Sequence, residues 1–165
     1  MLSPRRIQPG PGQESVWDYP RPPALEVTHK RVRVVFNEVV IADTCNAQRV
    51  LETSHPPVYY IPPTDVQLQY CEVMPQSTFC EWKGAASYLR LTVGDRSVEA
   101  AAWFYTNPTP RFAAIAQYVA FYPSRVDACY VDTEQVQAQP GDFYGGWITQ
   151  DIVGPFKGDP GTWGW

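Results

Sequence analysis

Two kinds of side chain in this sequence could carry out chemistry: four thiols and one well-placed histidine. A thiol acts as a nucleophile when a cation or a base lies beside it. His55 precedes two prolines that stiffen the backbone, and it could serve as an acid, a base or a hydrogen-bond donor near neutral pH. The cysteines are Cys45, Cys71, Cys80 and Cys129, and no two of them form a CxxC pair. We therefore predict no zinc site and no other bound metal, and each cysteine could equally be a small buried apolar residue.

Charged residues surround the third of these cysteines. The segment 79–83 is predicted to be a strand, in which successive side chains face opposite ways. Glu81 and Lys83 then share one face, where they could bind a common partner, and Cys80 points to the other face. Cys80 would need a partner from another strand to become reactive.

A second charged group lies near the fourth cysteine. Asp127 and Cys129 are predicted to share one face of a strand, and Arg125 comes just before it. A nearby carboxylate raises the pKa of a thiol, so Arg125 or His55 would have to outweigh Asp127 for Cys129 to react. These charges indicate either a solvated, mutually paired set or a groove for a polar or anionic ligand.

Large aromatic residues could form the walls of such a groove. They could equally be core residues, and both interpretations stay open. The candidate ligand-binding aromatics are Tyr59, Trp82, Trp103 and Tyr122.

Composition excludes several classes of partner. The net charge of −4 argues against binding to nucleic acid phosphates. No apolar run approaches the roughly 20 residues of a membrane-spanning helix, and the first residues lack the apolar centre of a secretory signal. The sequence also lacks a P-loop and a dinucleotide fingerprint, so no cofactor is predicted. We expect a cytoplasmic protein with reduced thiols that binds neither nucleic acid nor membrane.

The apolar residues predict an all-β fold. Valine and isoleucine number 24 against six leucines, which favours the pleated surface of a sheet. The 17 prolines recur along the chain and exclude long helices. We expect an extended N-terminal arm over 1–23, a β domain over 24–139 and a glycine- and aromatic-rich tail over 140–165. The tail should pack its tryptophans on the domain or on a second subunit, so a homo-oligomer remains open.

The predicted elements follow from alternation and turn residues. Asp43–Thr53 remains ambiguous between a strand and a helical turn, and Pro110–Gln117 is predicted to be a short helix. Asn37-Glu38 and Gly94-Asp95 are the predicted hairpin turns. The predicted strands are 26–36, 39–41, a short edge strand within 55–63, 79–83, 86–93, 98–105, 118–122, 128–131 and 135–137.

Several blocks resemble domain-of-unknown-function family 427: SHPPVYYIPP (54–63), FCEWKGAASY (79–88), AAWFY (101–105), YVAFYPSRVDACYVD (118–132) and the tail from 143. The resemblance implies antiparallel coiled sheets that form a β-tent-like or partly open barrel around a groove, with one or two short helices. Glu38 stands where the family usually has glycine, and Ser124 where glycine is common. The family sometimes carries a nucleotidyltransferase label, but the sequence has no paired carboxylates beside a glycine-rich turn to support it.

The resemblance implies three functions that differ in class. The first is a small-molecule binding domain of the β-tent type, with His55 and the charged residues in its groove. The second, by analogy with β-tent enzymes that handle thiols, is a cysteine-dependent enzyme using Cys80 or Cys129 with His55 or Lys83 nearby. The third is an interaction protein that presents its aromatic tail.

Overall fold

Short strands dominate the structure, a computed structural model that describes residues 5–141 and 143–165. Residues 1–4 of the predicted arm and Asp142 of the predicted tail lie outside the described residues. The strands are β1 (Glu14–Ser15), β2 (Ala24–Val27), β3 (Val32–Phe36), β4 (Val39–Thr44), β5 (Gln48–Leu51), β6 (Val58–Tyr60), β7 (Cys71–Cys80), β8 (Gly84–Val93), β9 (Arg96–Tyr105), β10 (Val119–Phe121), β11 (Ala128–Val131), β12 (Glu134–Gln135), β13 (Gln137–Ala138), β14 (Trp147–Ile148) and β15 (Ile152–Val153).

These strands form two larger sheets and three small ones. The larger sheets have the orders β10-β9-β8-β7 and β12-β11-β3-β4, and a three-stranded sheet has the order β2-β5-β6. The pairs β13-β14 and β1-β15 form the other two, and only β1-β15 is parallel. No sheet in the described residues closes into a barrel. The predicted all-β fold of antiparallel sheets is confirmed.

Alternation along two neighbouring strands separates the two larger of the three hydrophobic clusters among the described residues. Ala102 of β9 and Phe121 of β10 face a main core between the two larger sheets. Trp103 and Tyr105 of β9, together with Tyr122 after β10, face a second core beside β5 and β6. Because successive side chains of a strand point to opposite faces, both faces of this sheet are covered. The second core forms the base of the site described below.

The predicted turns are found where the sequence placed them. Asn37 and Glu38 both have positive φ, 47° and 67°, as a two-residue hairpin between β3 and β4 requires. Glu38 adopts this conformation although it has a Cβ. The Asn37 Nδ2 group donates to the Val93 carbonyl at 2.9 Å, which ties this hairpin to the end of β8.

Other predicted boundaries need correction. The strand predicted over 26–36 is wrong, because the chain bends after β2 and enters a different sheet at β3. The ambiguous segment 43–53 contains the end of β4 and all of β5. The predicted short edge strand is β6, which lies at the edge of its sheet.

The helical segments are short 3-10 turns. The helix predicted over 110–117 is found as a 3-10 helix at Pro110–Ile115, with Phe112 and Ile115 buried. The other helical segments among the described residues have three residues each, and no helix there is long and apolar enough to cross a membrane.

The two ends of the chain lie against each other. Strands β1 and β15 pair in parallel, and the Ile7 N–H donates to the Gly154 carbonyl at 3.1 Å. The Trp17 Nε1–H donates to the Pro155 carbonyl at 2.9 Å. Of the tail tryptophans, Trp147 is fully buried, whereas Trp163 is 87% exposed and does not pack on the domain. Burial of Trp163 on a second subunit remains a prediction. The division into arm, domain and tail remains a prediction.

Candidate functional site

A cavity of about 320 Å³ opens where the hairpin of β7 and β8 meets β6, β9 and the segment 139–145. Its base is the second core. Its aromatic and titratable lining residues are Glu52, His55, Tyr60, Phe79, Cys80, Glu81, Trp82, Lys83, Tyr88, Trp103, Tyr105, Tyr122, Phe143, Tyr144 and Lys157. This volume is at the lower end of the range for small-molecule pockets, about 300–1,000 Å³.

Aromatic rings make up the base and one wall of the cavity. The rings of Trp103 and Tyr122 lie 4.6 Å apart between centroids, and the Trp103 Nε1–H donates to the Tyr60 hydroxyl at 3.2 Å. Burial raises the pKa of Tyr60, of Tyr105 and of Tyr122. The three phenols therefore remain neutral at physiological pH, and the Tyr122 hydroxyl donates to the Phe143 carbonyl at 3.4 Å.

The turn between β7 and β8 brings four consecutive residues, 80–83, to the mouth of the cavity. Strand β7 ends at Cys80, so the predicted strand over 79–83 is wrong beyond that residue. Because Lys83 lies in the turn, the expectation that its side chain and that of Cys80 face opposite sides of one strand is also wrong. Gly84 has a φ of 108°, and the Lys83 carbonyl accepts a hydrogen bond from the Thr109 N–H at 3.0 Å. This turn brings Lys83 to the same cavity as the Cys80 thiol.

Lys83 is a protonated cation inside an aromatic site. Burial lowers its pKa, but Tyr60, Cys80 and Glu52 outweigh this effect, so the pKa of Lys83 is raised overall. The Nζ atom also lies 5.9 Å from the centre of the Phe112 ring.

A second lysine reaches the cavity from the tail. The Lys157 Nζ lies 5.6 Å from the centre of the Tyr144 ring, and the Lys157 carbonyl accepts a hydrogen bond from Gln139 Nε2 at 2.8 Å. Within the residues that the structure describes, no carboxylate lies within 4.0 Å of the Nζ atom of either Lys83 or Lys157. Among the described residues, neither ammonium group of the cavity thus has a direct ion-pair partner, and Glu52 acts on Lys83 only from a longer distance.

His55 is neutral, and its tautomer follows from its neighbours. Burial lowers its pKa to about 3, and the positive charges of Lys157, Arg21 and Lys83 contribute. The Gly146 N–H donates to Gln139 Oε1 at 3.1 Å, so the amide Nε2 of Gln139 donates to His55 Nδ1, also at 3.1 Å. The imidazole proton therefore lies on Nε2, which faces Glu52 Oε2 at 3.6 Å.

Comparison with known families identifies the family of this chain. A family model described as a domain of unknown function (DUF427), which also carries a nucleotidyltransferase label, matches residues 24–132. The chain belongs to the DUF427 family. No curated protein matches this chain. The matched residues include Lys83, Trp103 and Tyr122, whereas the DUF427 match ends before Tyr144 and Lys157.

Seven of the eleven predicted site residues come together in the cavity of this DUF427 protein: His55, Cys80, Glu81, Trp82, Lys83, Trp103 and Tyr122. Their side chains converge because the β7–β8 turn, β9 and the segments next to β6 and β10 meet around the second core. Among the described residues, no three histidine, cysteine, aspartate or glutamate side chains come together as a metal site would require.

The structure does not bring the other four predicted residues into the cavity. The Asp127 carboxylate accepts a hydrogen bond from the Asn37 N–H and forms a bidentate ion pair with Arg96 at 2.8 and 3.0 Å, so it caps the β3–β4 turn. The Arg125 guanidinium lies over the Tyr122 ring, with its Cζ atom 4.0 Å from the ring centre, and lines a neighbouring pocket. Cys129 lies in the main core, where burial raises the pKa of its thiol.

Tyr59 is the fourth predicted residue outside the cavity. On β6 it faces the main core, where its ring stacks on Trp147 with centroids 4.9 Å apart, while Tyr60 faces the cavity. Period-two alternation could have separated these two tyrosines. It could also have added Tyr105, which lies two residues beyond Trp103 on β9.

The tail residues that line the cavity were not predicted from the sequence. One glycine explains how the backbone of the tail passes over the cavity. A Cβ atom on Gly145 would lie 2.3 Å from Cη2 of Trp103, so only glycine lets the backbone pass over that ring. This close approach places Tyr144 at the cavity and next to His55, with ring centroids 4.8 Å apart. No local sequence signal predicts that Lys157 returns to the same place.

Proposed function

We propose that the cavity binds a small organic anion, as part of a ligand-binding rather than a structural role. The observation that carries the proposal is the pair of lysines, Lys83 and Lys157, in a cavity lined by aromatic rings, with no carboxylate of the described residues within 4.0 Å of either Nζ atom. An uncompensated charge in a partly buried site is costly, and an anionic ligand would supply the missing partner.

Other charges near the cavity support this sign of ligand. The Glu52 carboxylate is engaged by Arg21 at 3.8 Å and by His55 at 3.6 Å, and Glu81 is exposed. A cationic ligand, which aromatic walls alone would suit, would meet the two ammonium groups of the cavity. The electrostatics favour an anion.

Replacing both lysines with methionine tests this proposal. We expect the variant Lys83→Met/Lys157→Met to bind the aromatic anion 1-anilinonaphthalene-8-sulfonate at least tenfold more weakly, a loss of about 1.4 kcal/mol. Binding of N-phenyl-1-naphthylamine, its neutral analogue, should change little, because the aromatic walls remain. Fluorescence titration of both dyes at pH 7.5 measures the two affinities.

A matched control uses a lysine outside the cavity. Lys30 pairs with Asp151 at 3.3 Å, so Lys30→Met removes one positive charge outside the site and should leave the affinity for the anionic dye unchanged. Equal losses for the double variant and for Lys30→Met, or equal losses for both dyes, would refute the proposal.

Thiol chemistry at Cys80 is a second candidate function, favoured by one observation. Cys80 and Lys83 line the same cavity and interact electrostatically, and an ammonium group near a thiol is a common setting for nucleophilic cysteines. Cys129 does not share this setting because it lies in the main core.

Alkylation of the native protein distinguishes the four cysteines. We expect Cys80 to react faster with iodoacetate, relative to iodoacetamide, than the exposed Cys45 does, because the lysines of the cavity attract the anionic reagent. Cys71, whose pKa is raised by burial to about 11, should react slowly, and Cys129 only after unfolding. Peptide mass spectrometry at pH 7.5 gives the rates, and a Cys80 that stays unmodified in the native protein would remove this candidate.

A further inference from the structure

The cavity groups one ammonium with two buried phenols. Lys83, Tyr60 and Tyr105 all line it, and the ring centroids of the two tyrosines lie 6.3 Å apart. Lys83 acts electrostatically on Tyr60, whose oxygen accepts a hydrogen bond from Trp103 Nε1. The same cavity therefore offers an ammonium and phenol hydroxyls as donors to an oxyanion.

The number and type of these donors match a carboxylate better than a phosphate. No arginine is among the described residues that line the cavity, and arginine forks and clusters of backbone N–H groups are the usual partners of phosphate. Glu52 lies near enough to Lys83 to help keep it protonated, so a second negative charge on the ligand would be repelled there. A group with a single charge and two oxygens fits the ammonium and the phenols.

The rest of the cavity sets the shape of the ligand. The rings of Trp103 and Tyr122 form the base, Tyr144 lies on the tail side, and the volume of about 320 Å³ suits a small flat molecule. We infer that the cavity binds an aromatic monocarboxylic acid, with its carboxylate against Lys83, Tyr60 and Tyr105 and its ring against Trp103. This inference rests on the proposed function, because it assumes that the cavity binds an anion.

A series of naphthalene compounds tests the acidic group while the ring stays constant. By isothermal titration calorimetry at pH 7.5, we expect 2-naphthoate to bind at least tenfold more tightly than 2-naphthamide and more tightly than 2-naphthyl phosphate. Tyr105→Phe, which removes only a hydroxyl, should weaken 2-naphthoate severalfold and leave 2-naphthamide unchanged. Tyr130→Phe removes a hydroxyl on β11, away from the cavity, and should affect neither compound.

The outcomes separate this inference from the proposed function. Phosphate binding as tight as carboxylate binding, or equal affinity for acid and amide, would overturn the choice of a carboxylic acid. The same holds if 2-naphthoate, 2-naphthamide and 2-naphthyl phosphate all fail to bind while 1-anilinonaphthalene-8-sulfonate still binds in a lysine-dependent way. In that case the anion-binding function stands. If the dye also fails to depend on the lysines, the proposed function fails as well.

Discussion

Replacing Trp147 with alanine is expected to lower the free energy of unfolding by about 3–5 kcal/mol. Trp147 is 0% exposed, its ring stacks on Tyr59, and its Nε1–H donates to the Phe121 carbonyl at 3.0 Å. Its removal would leave a large cavity in the main core and a buried carbonyl without its donor. Urea unfolding followed by circular dichroism measures the change, which corresponds to a fall in Tm of roughly 10 °C.

Trp163 is the matched control in the same tail. Its side chain is 87% exposed, so Trp163→Ala should change the stability by less than about 0.5 kcal/mol. Similar effects of the two substitutions would show that the segment around Trp147 does not pack into the core as described.

His55 is expected to make the stability of the protein depend on pH below 6.5. The folded state lowers the pKa of His55 to about 3, whereas the unfolded chain has the ordinary value near 6.5. Between these values the unfolded state binds a proton that the folded state does not, so stability is full above pH 6.5 and falls as the pH decreases. From pH 6.5 to 4.5 the loss should be about 2–3 kcal/mol.

The variant His55→Gln isolates this contribution. Glutamine cannot titrate, so urea unfolding at pH 7.5, 6.5, 5.5 and 4.5 should show a pH dependence about 2–3 kcal/mol smaller than that of the wild-type protein. His29 is exposed, and His29→Gln should keep the wild-type pH dependence. Identical pH profiles for His55→Gln and the wild-type protein would contradict the buried, neutral state of His55.

Local sequence rules predicted those parts of the fold that depend on neighbouring residues. The β8–β9 hairpin with its turn at Gly94-Asp95, the β3–β4 turn and the strand 128–131 were all predicted, because alternation and turn residues act over a few positions. The break between β2 and β3 was missed. The residues from Thr28 to Arg31 are all polar, but they include no glycine or proline to mark a break, and only pairing with different sheets separates the two strands.

The candidate site was predictable to the extent that its residues are strand neighbours. Trp103 and Tyr122 were predicted as aromatic candidates, and strand alternation could have added Tyr60, which faces away from Tyr59, and Tyr105, which lies two residues beyond Trp103. The turn at Glu81–Lys83 was not predicted, because its residues have strand-like character. Hydrogen bonds from Thr109, which is distant in sequence, to the Trp82 and Lys83 carbonyls stabilise this turn. Lys157 is held at the cavity by the hydrogen bond from its backbone N–H to the Ser54 carbonyl, a contact between residues more than a hundred positions apart. No local sequence pattern predicts such a contact.

The parallel pairing of β1 with β15 makes the two ends of the chain a single unit of local unfolding. These strands form a sheet of their own, so an opening that releases one strand also leaves the other without its hydrogen-bond partner. Amide protons in both segments would then exchange with solvent through the same opening, although about 140 residues separate them in sequence. Because Lys157 follows β15 closely, such an opening at the termini would also reach the edge of the cavity.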